Sequence, residues 1–184
     1  MSDAIPTGKE RDDWAKVRSY ILAQAEKYTP IEYWPRLLEQ RAQLIQLFEG
    51  VTPEQAAWRP PSGEGEDAWS IVEIAQHVLQ WTENIIQLNH ALLEGQEATK
   101  LPSGYLDPDP KAVLSEVRDA LVESSHELAE TLLYVSGRTD PTRTVEHSRF
   151  GELNVRQWFV LGRIHDLDHI GQIKGLKQAE GFPA

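Results

Sequence analysis

Residues 162–176 read GRIHDLDHIGQIKGL. Two histidines, His165 and His169, stand four residues apart, with acids between them and apolar residues around them. An α-helix turns about 100° per residue. With His165 as origin, His169 falls near about +40°, Trp158 and Leu176 near about +20°, Gln172 near about −20° and Leu161 near about −40°. Arg156, Arg163 and Lys174 fall on the opposite side. The segment is therefore one amphipathic helix, over about residues 155–179, with both imidazoles in the middle of its inward stripe. Asn154 and Gln157 resemble a cap at its start. Side chains at i and i+4 have Cβ atoms about 5–6 Å apart, close enough to share one metal ion.

Working outward, the same period recurs along the chain. Ser70-x-x-Glu73 is a capping box opening a helix that runs to Leu93 or Glu94, with Gly95 after it. On this helix His77 shares a face with Ile74, Trp81, Ile85 and Leu88, so a third imidazole points inward. Asp109-Pro110 carries the chemistry of a helix start, and Leu114, Val117, Leu121, Leu128 and Leu132 form the stripe that follows it, ended by Gly137. Another helix is expected over about 33–49, with Leu37, Leu44, Ile45 and Phe48 inward. An N-terminal one is expected over 10–28, stopped by Thr29 and Pro30. Residues 1–9 read as a tail. The segments 50–69, 95–110 and 138–153 read as loops, the last of them a short extended pair or irregular. Strand signals are too few for a sheet of any size. The expected fold is an all-α four-helix bundle with crossover loops and an additional N-terminal helix, in a single domain over 1–184 with its core at 33–180.

Composition bounds the function. The 184 residues are 40% apolar and 26% charged, with a formal net charge of −11 and no cysteine. Disulfides, thiolate nucleophiles and cysteine-bound zinc are excluded. The acidic balance lacks the basic footprint of a nucleic-acid binder. No window approaches the roughly 18 apolar residues of a membrane span. The N-terminus, MSDAIPTGKERDDW, has no apolar core of a signal peptide. A cytoplasmic protein acting on a small molecule is the expectation.

A lone inward histidine is usually a core residue with a polar partner, and an isolated H-x-x-x-H is a weak motif. Three imidazoles on the inward faces of two helices are harder to explain as packing, because each buried ring needs a partner. One divalent ion satisfies all three. Three protein ligands leave a coordination position open, as in catalytic sites. Zinc is the expected ion and nickel the next.

The segments LFEGVTPEQAAWRPP, WSIVEIAQHVLQ and FGELNVRQWFVLGRIHDLDHIGQI together resemble the DinB-like (DNA-damage-inducible) superfamily over roughly residues 33–180. The family pattern of one histidine early in the second bundle helix and an H-x-x-x-H pair in the fourth falls on His77, His165 and His169. Gln76, Phe150, Gly151 and Gln172 agree with it as well. The resemblance implies a bundle with a long crossover, a three-histidine divalent metal site and homodimerisation. It also implies kinship with metal-dependent S-transferases or isomerases that use low-molecular-weight thiols such as bacillithiol or mycothiol.

Other residues group around this centre. Asp168 and Gln172 are the candidate catalytic groups, as a base and as a holder of water or substrate; the competing reading of Asp168 is an acid on the helix border. Asn84 lies one further turn along the His77 face and is a candidate pocket residue. Arg41 falls in the centre of its apolar stripe and needs a partner: either a structural acid or the anionic group of a thiol cofactor. Ser125, mid-stripe, leaves room for a pocket or for close packing. Trp81 and Trp158 read as core aromatics, Glu73 as a cap more than a support for a ligand. His90 and His126 read as rim residues, and His147 lies in the loop before the last helix. The expected function is a metal-dependent thiol transferase. The alternatives are a metal-dependent hydrolase and a metal-binding stress-response protein without turnover.

Overall fold

A computed structural model describes residues 13–96 and 108–184. The expected tail and most of the expected crossover loop lie outside the described residues. The remainder is helical: α1 (Trp14–Lys27), α2 (Pro30–Gln46), α3 (Pro53–Ala57), α4 (Ile71–Glu94), α5 (Leu114–Val135) and α6 (Val155–Lys177). Between α5 and α6, β1 (Val145–His147) pairs antiparallel with β2 (Gly151–Leu153), Val145 opposite Leu153. A single 3₁₀ turn, Gly65–Ala68, precedes α4.

Cap chemistry sets the starts. The Glu73 carboxylate accepts from the Ser70 N–H and hydroxyl at the head of α4, and it also pairs with Arg59. Asn154 and Gln157 exchange hydrogen bonds at the head of α6. Two starts differ from expectation. Thr29 and Pro30 do not only stop α1; Thr29 forms a capping box with Glu32 and Pro30 takes the first turn, so α2 begins three residues early. Pro there has no N–H to lose and a helical φ already set. At the other, Asp109 turns its carboxylate back onto the Lys111 N–H at 2.9 Å and its carbonyl onto the Ala112 N–H at 3.1 Å. That local turn competes with helix, and α5 starts only at Leu114.

In the bundle α6 lies against α2 and α4, and α5 against the same two helices. α1 packs on α6 through Val17, Tyr20, Ile21 and Ala25. The apolar core falls into two clusters. One gathers α1, the hairpin, Leu37 of α2, Ile85 to Leu92 of α4, Leu128 to Val135 of α5 and the first half of α6. The other gathers Leu44, Ile71 to Val78, Leu114 to Leu121 and Ile170 to Leu176. Between them sit Arg41 on α2, Ser125 on α5 and the stretch from His165 to His169 on α6. A polar layer is thus sandwiched between two apolar halves.

Candidate metal centre

The three inward histidines meet. His77 Nε2 lies 3.0 Å from His165 Nε2, and His169 Nε2 lies 3.3 Å from the same atom. His77 and His169 are buried and His165 half-buried. Two structural choices hold this geometry. First, α6 carries Gly162 one turn before His165. A Cβ there would stand 2.9 Å from the tip of the Trp81 indole. The missing side chain lets Trp81 lie against α6 and stack on the His165 ring, centroids 4.4 Å apart and planes 15° apart. Second, the Gln172 side chain donates its amide N–H to the Glu66 carbonyl, leaving Oε1 facing His169 Nδ1 at 2.8 Å. His169 therefore carries its proton on Nδ1, and its Nε2 presents a bare lone pair to the cluster.

Without an ion the cluster has no satisfactory arrangement of protons. If His165 donates from Nε2, one N–H is shared between two acceptors and its Nδ1 is left a buried lone pair, since that atom has no hydrogen-bond partner. If the proton sits on Nδ1, bare lone pairs of His165 and His169 face each other at 3.3 Å. A divalent cation accepts all three lone pairs. Zinc–imidazole bonds of about 2.0–2.1 Å place neighbouring nitrogens about 3.3 Å apart in a tetrahedron and about 3.0 Å apart at adjacent octahedral positions. The two separations to His165 Nε2 match those values, and all three ligand atoms lie within 4.8 Å of one another. Burial pushes His77 down to about 3, with His169 adding to the effect. Burial also holds His165 well below the usual histidine range. These two rings are thus neutral at ordinary pH, the form a metal requires.

These residues match the DinB superfamily over 36–173. The chain belongs to the DinB superfamily. No curated protein matches it. The match starts inside α2, so α1 stands outside this DinB segment.

A cavity of about 440 Å³ opens onto all three imidazoles. Asp168 and Asn84 line it, Asp168 on an exposed part of α6. Trp81 and Trp158, read from the sequence as core, also line it. Two of the candidate residues lie outside the lining. Gln172 is hydrogen-bonded to His169 and to the Glu66 carbonyl. Arg41 is likewise absent from the lining. Its guanidinium binds Asp166 through Nε at 2.8 Å and a terminal nitrogen at 3.1 Å, and donates to Ser125 Oγ at 3.1 Å. Arg41 and Asp166 are 3% and 0% exposed, so the pair neutralises two charges that could not stand alone there. Of its two readings, the structural acid is the one the geometry favours. His126 is exposed, and His90 stacks on Tyr134 away from the cavity.

Some lining residues had no clear sequence signal. Trp69 precedes the α4 cap and packs on the His77 ring at 4.9 Å. Trp14 comes from α1 and Phe150 from the hairpin. The hairpin is the short extended pair expected within 138–153, and its His147 reaches the cavity. The FG pair at 150–151 lies at its turn. It marks where Gly151 takes a left-handed φ of 67° and turns the chain back.

Proposed function

We propose that this DinB-superfamily protein is a metal-dependent enzyme that activates a low-molecular-weight thiol and transfers it to a small electrophile. The observation that carries the reading is the cavity on the open side of the three imidazoles. A store or structural site needs no such space, whereas a transferase needs room for two small molecules beside its ligands. A divalent ion held by His77, His165 and His169 supplies Lewis acidity, which lowers the pKa of a thiol brought to it.

The chain's own groups do the rest. Gln172 fixes the tautomer and tilt of His169, and Trp81 fixes the plane of His165. Asp168, at the cavity wall beside the ligands, takes the proton that the thiol gives up. Asn84 offers a carbonyl and an amide N–H to the polar body of the thiol. The absence of cysteine leaves no protein thiol to compete for the electrophile. The position of Asp168 also favours a second reading, hydrolysis with water in place of thiol.

The test is metal content of untagged protein beside His77→Ala and His165→Ala, followed by thiol and hydrolytic assays with and without chelator. We expect about one zinc or nickel per chain in the parent, lost in both variants, and thiol consumption that stops on chelation. A parent that takes up neither metal, even when supplied at low micromolar levels, would overturn the reading.

A further inference from the structure

Beyond the histidines, α1, the β1–β2 hairpin and the first turn of α6 give the cavity an aromatic lining. Trp14 meets Phe150 edge-on at 5.8 Å, His147 stacks on Phe150 at 4.7 Å, and Trp158 lies 5.5 Å from His147. Arg18 ties α1 to the hairpin by donating to the Phe150 carbonyl at 2.7 Å. Trp69 packs on His77 and Trp81 stacks on His165, and both line the same cavity. A lining so rich in flat rings suits a flat guest.

Within that lining one polar atom is held in a single state. His147 Nδ1 accepts from the Arg149 N–H at 3.1 Å and the Phe150 N–H at 3.3 Å. Two donors on Nδ1 force the ring proton onto Nε2. The ring is half-buried and lines the cavity together with His165. At the mouth, the exposed Arg149 guanidinium lies over the Trp14 ring at 4.5 Å.

We propose that this lining is the binding site for the electrophilic substrate, that it takes a planar aromatic or conjugated acid, and that His147 Nε2–H donates a hydrogen bond to the substrate's carboxylate or carbonyl oxygen. The proposal rests on the reading of the cavity as the substrate site. The aromatic lining selects planarity and the fixed N–H selects an acceptor; Arg149 is the cation among the lining residues, set beside the acids Glu66, Glu146 and Asp168, so the acceptor oxygen is read at His147 and Arg149. No covalent step is assigned to His147; it is a binding residue.

The probe is 2-naphthoate, titrated calorimetrically into metal-loaded protein, with cyclohexanecarboxylate as the non-planar acid and 2-methylnaphthalene as the flat hydrocarbon. His147→Asn places an amide oxygen where Nδ1 was, keeping the hairpin's two N–H groups satisfied while removing the distal donor. We expect naphthoate to bind tighter than either control. His147→Asn should weaken naphthoate by about tenfold or more, the loss of a hydrogen bond to a charged acceptor, and leave methylnaphthalene unchanged. His147→Gln, whose amide reaches the Nε2 position, should recover part of the loss. Trp14→Ala should weaken both flat probes. Equal binding of naphthoate and cyclohexanecarboxylate, or an unchanged His147→Asn, would overturn the proposal. Metal content, measured on the same samples, separates the two readings. Loss of the probe with metal retained acts on this proposal alone. Naphthoate binding that persists in a parent unable to hold metal sinks the enzyme reading and leaves the slot standing.

Discussion

At the scale of single residues, the centre depends on groups that never touch the ion. Gln172 is the clearest. Its removal leaves His169 free to rotate and to take the other tautomer, so Gln172→Ala should lower metal affinity by about 10–100-fold with little change in fold. A competitive chelator titration reads this directly; unchanged affinity would return Gln172 to the role of a helix-surface residue. The histidines themselves give a pH signature in metal-free protein. Burial pushes the folded-state protonation of His77 and His165 below the range of the unfolded chain, where histidine titrates near about 6.5. Between about 6.5 and 3 the unfolded chain binds protons that buried His77 refuses. Stability is therefore fully present above that window and falls as pH drops through it. Urea midpoints of the metal-free protein should decline from pH 7 to pH 5, and His77→Leu should flatten the decline; parallel slopes would contradict it. The three clustered histidines were legible from sequence because helical period puts them inward. The partner of Arg41 was not: Asp166 is 125 positions away and looked like one of two acids flanking a motif.

At the scale of elements, the contact of α4 with α6 is set by what Gly162 lacks. Gly162→Ala gains about 1 kcal/mol of helix propensity, but its methyl enters the space of the Trp81 ring, an overpacking worth about 1–3 kcal/mol. The net effect should be neutral to destabilising, with Trp81 displaced from His165. Gly175, on the same helix, has nothing within 4 Å of the position its Cβ would take. Gly175→Ala should therefore stabilise by up to about 1 kcal/mol. Thermal unfolding of the two variants, with tryptophan fluorescence as the local readout, decides the point. Stabilisation by Gly162→Ala equal to that by Gly175→Ala would mean that Trp81 moves at no cost. Long helices were legible here because their stripes repeat over many turns. Their starts were less so, since Thr29-Pro30 serves both as the end of one helix and the cap of the next, and Asp109 spends its side chain on a local turn.

At the scale of the whole molecule, the chain places a polar layer across the middle of its own core. Arg41, Asp166 and Ser125 satisfy one another, but the three histidines can answer one another's lone pairs only by sharing one N–H between two acceptors. The fold therefore has a reason to bind an ion that is independent of any reaction, and binding should appear as stability. A ligand taken up only by the native state adds about 2.7 kcal/mol when free ligand is 100 times its Kd. Adding zinc or nickel to metal-free protein should raise the melting temperature by several degrees, in proportion to the logarithm of free metal, and chelation should reverse it. His165→Ala should melt at the same temperature with and without metal. The comparison distinguishes an ion site from three packed core histidines, because packing alone gives a melting temperature indifferent to metal and chelator. If metal stabilises the parent but leaves the variant unchanged, the layer that divides the core is completed by the ion, and the cavity beside it lies where that ion's open face can be used.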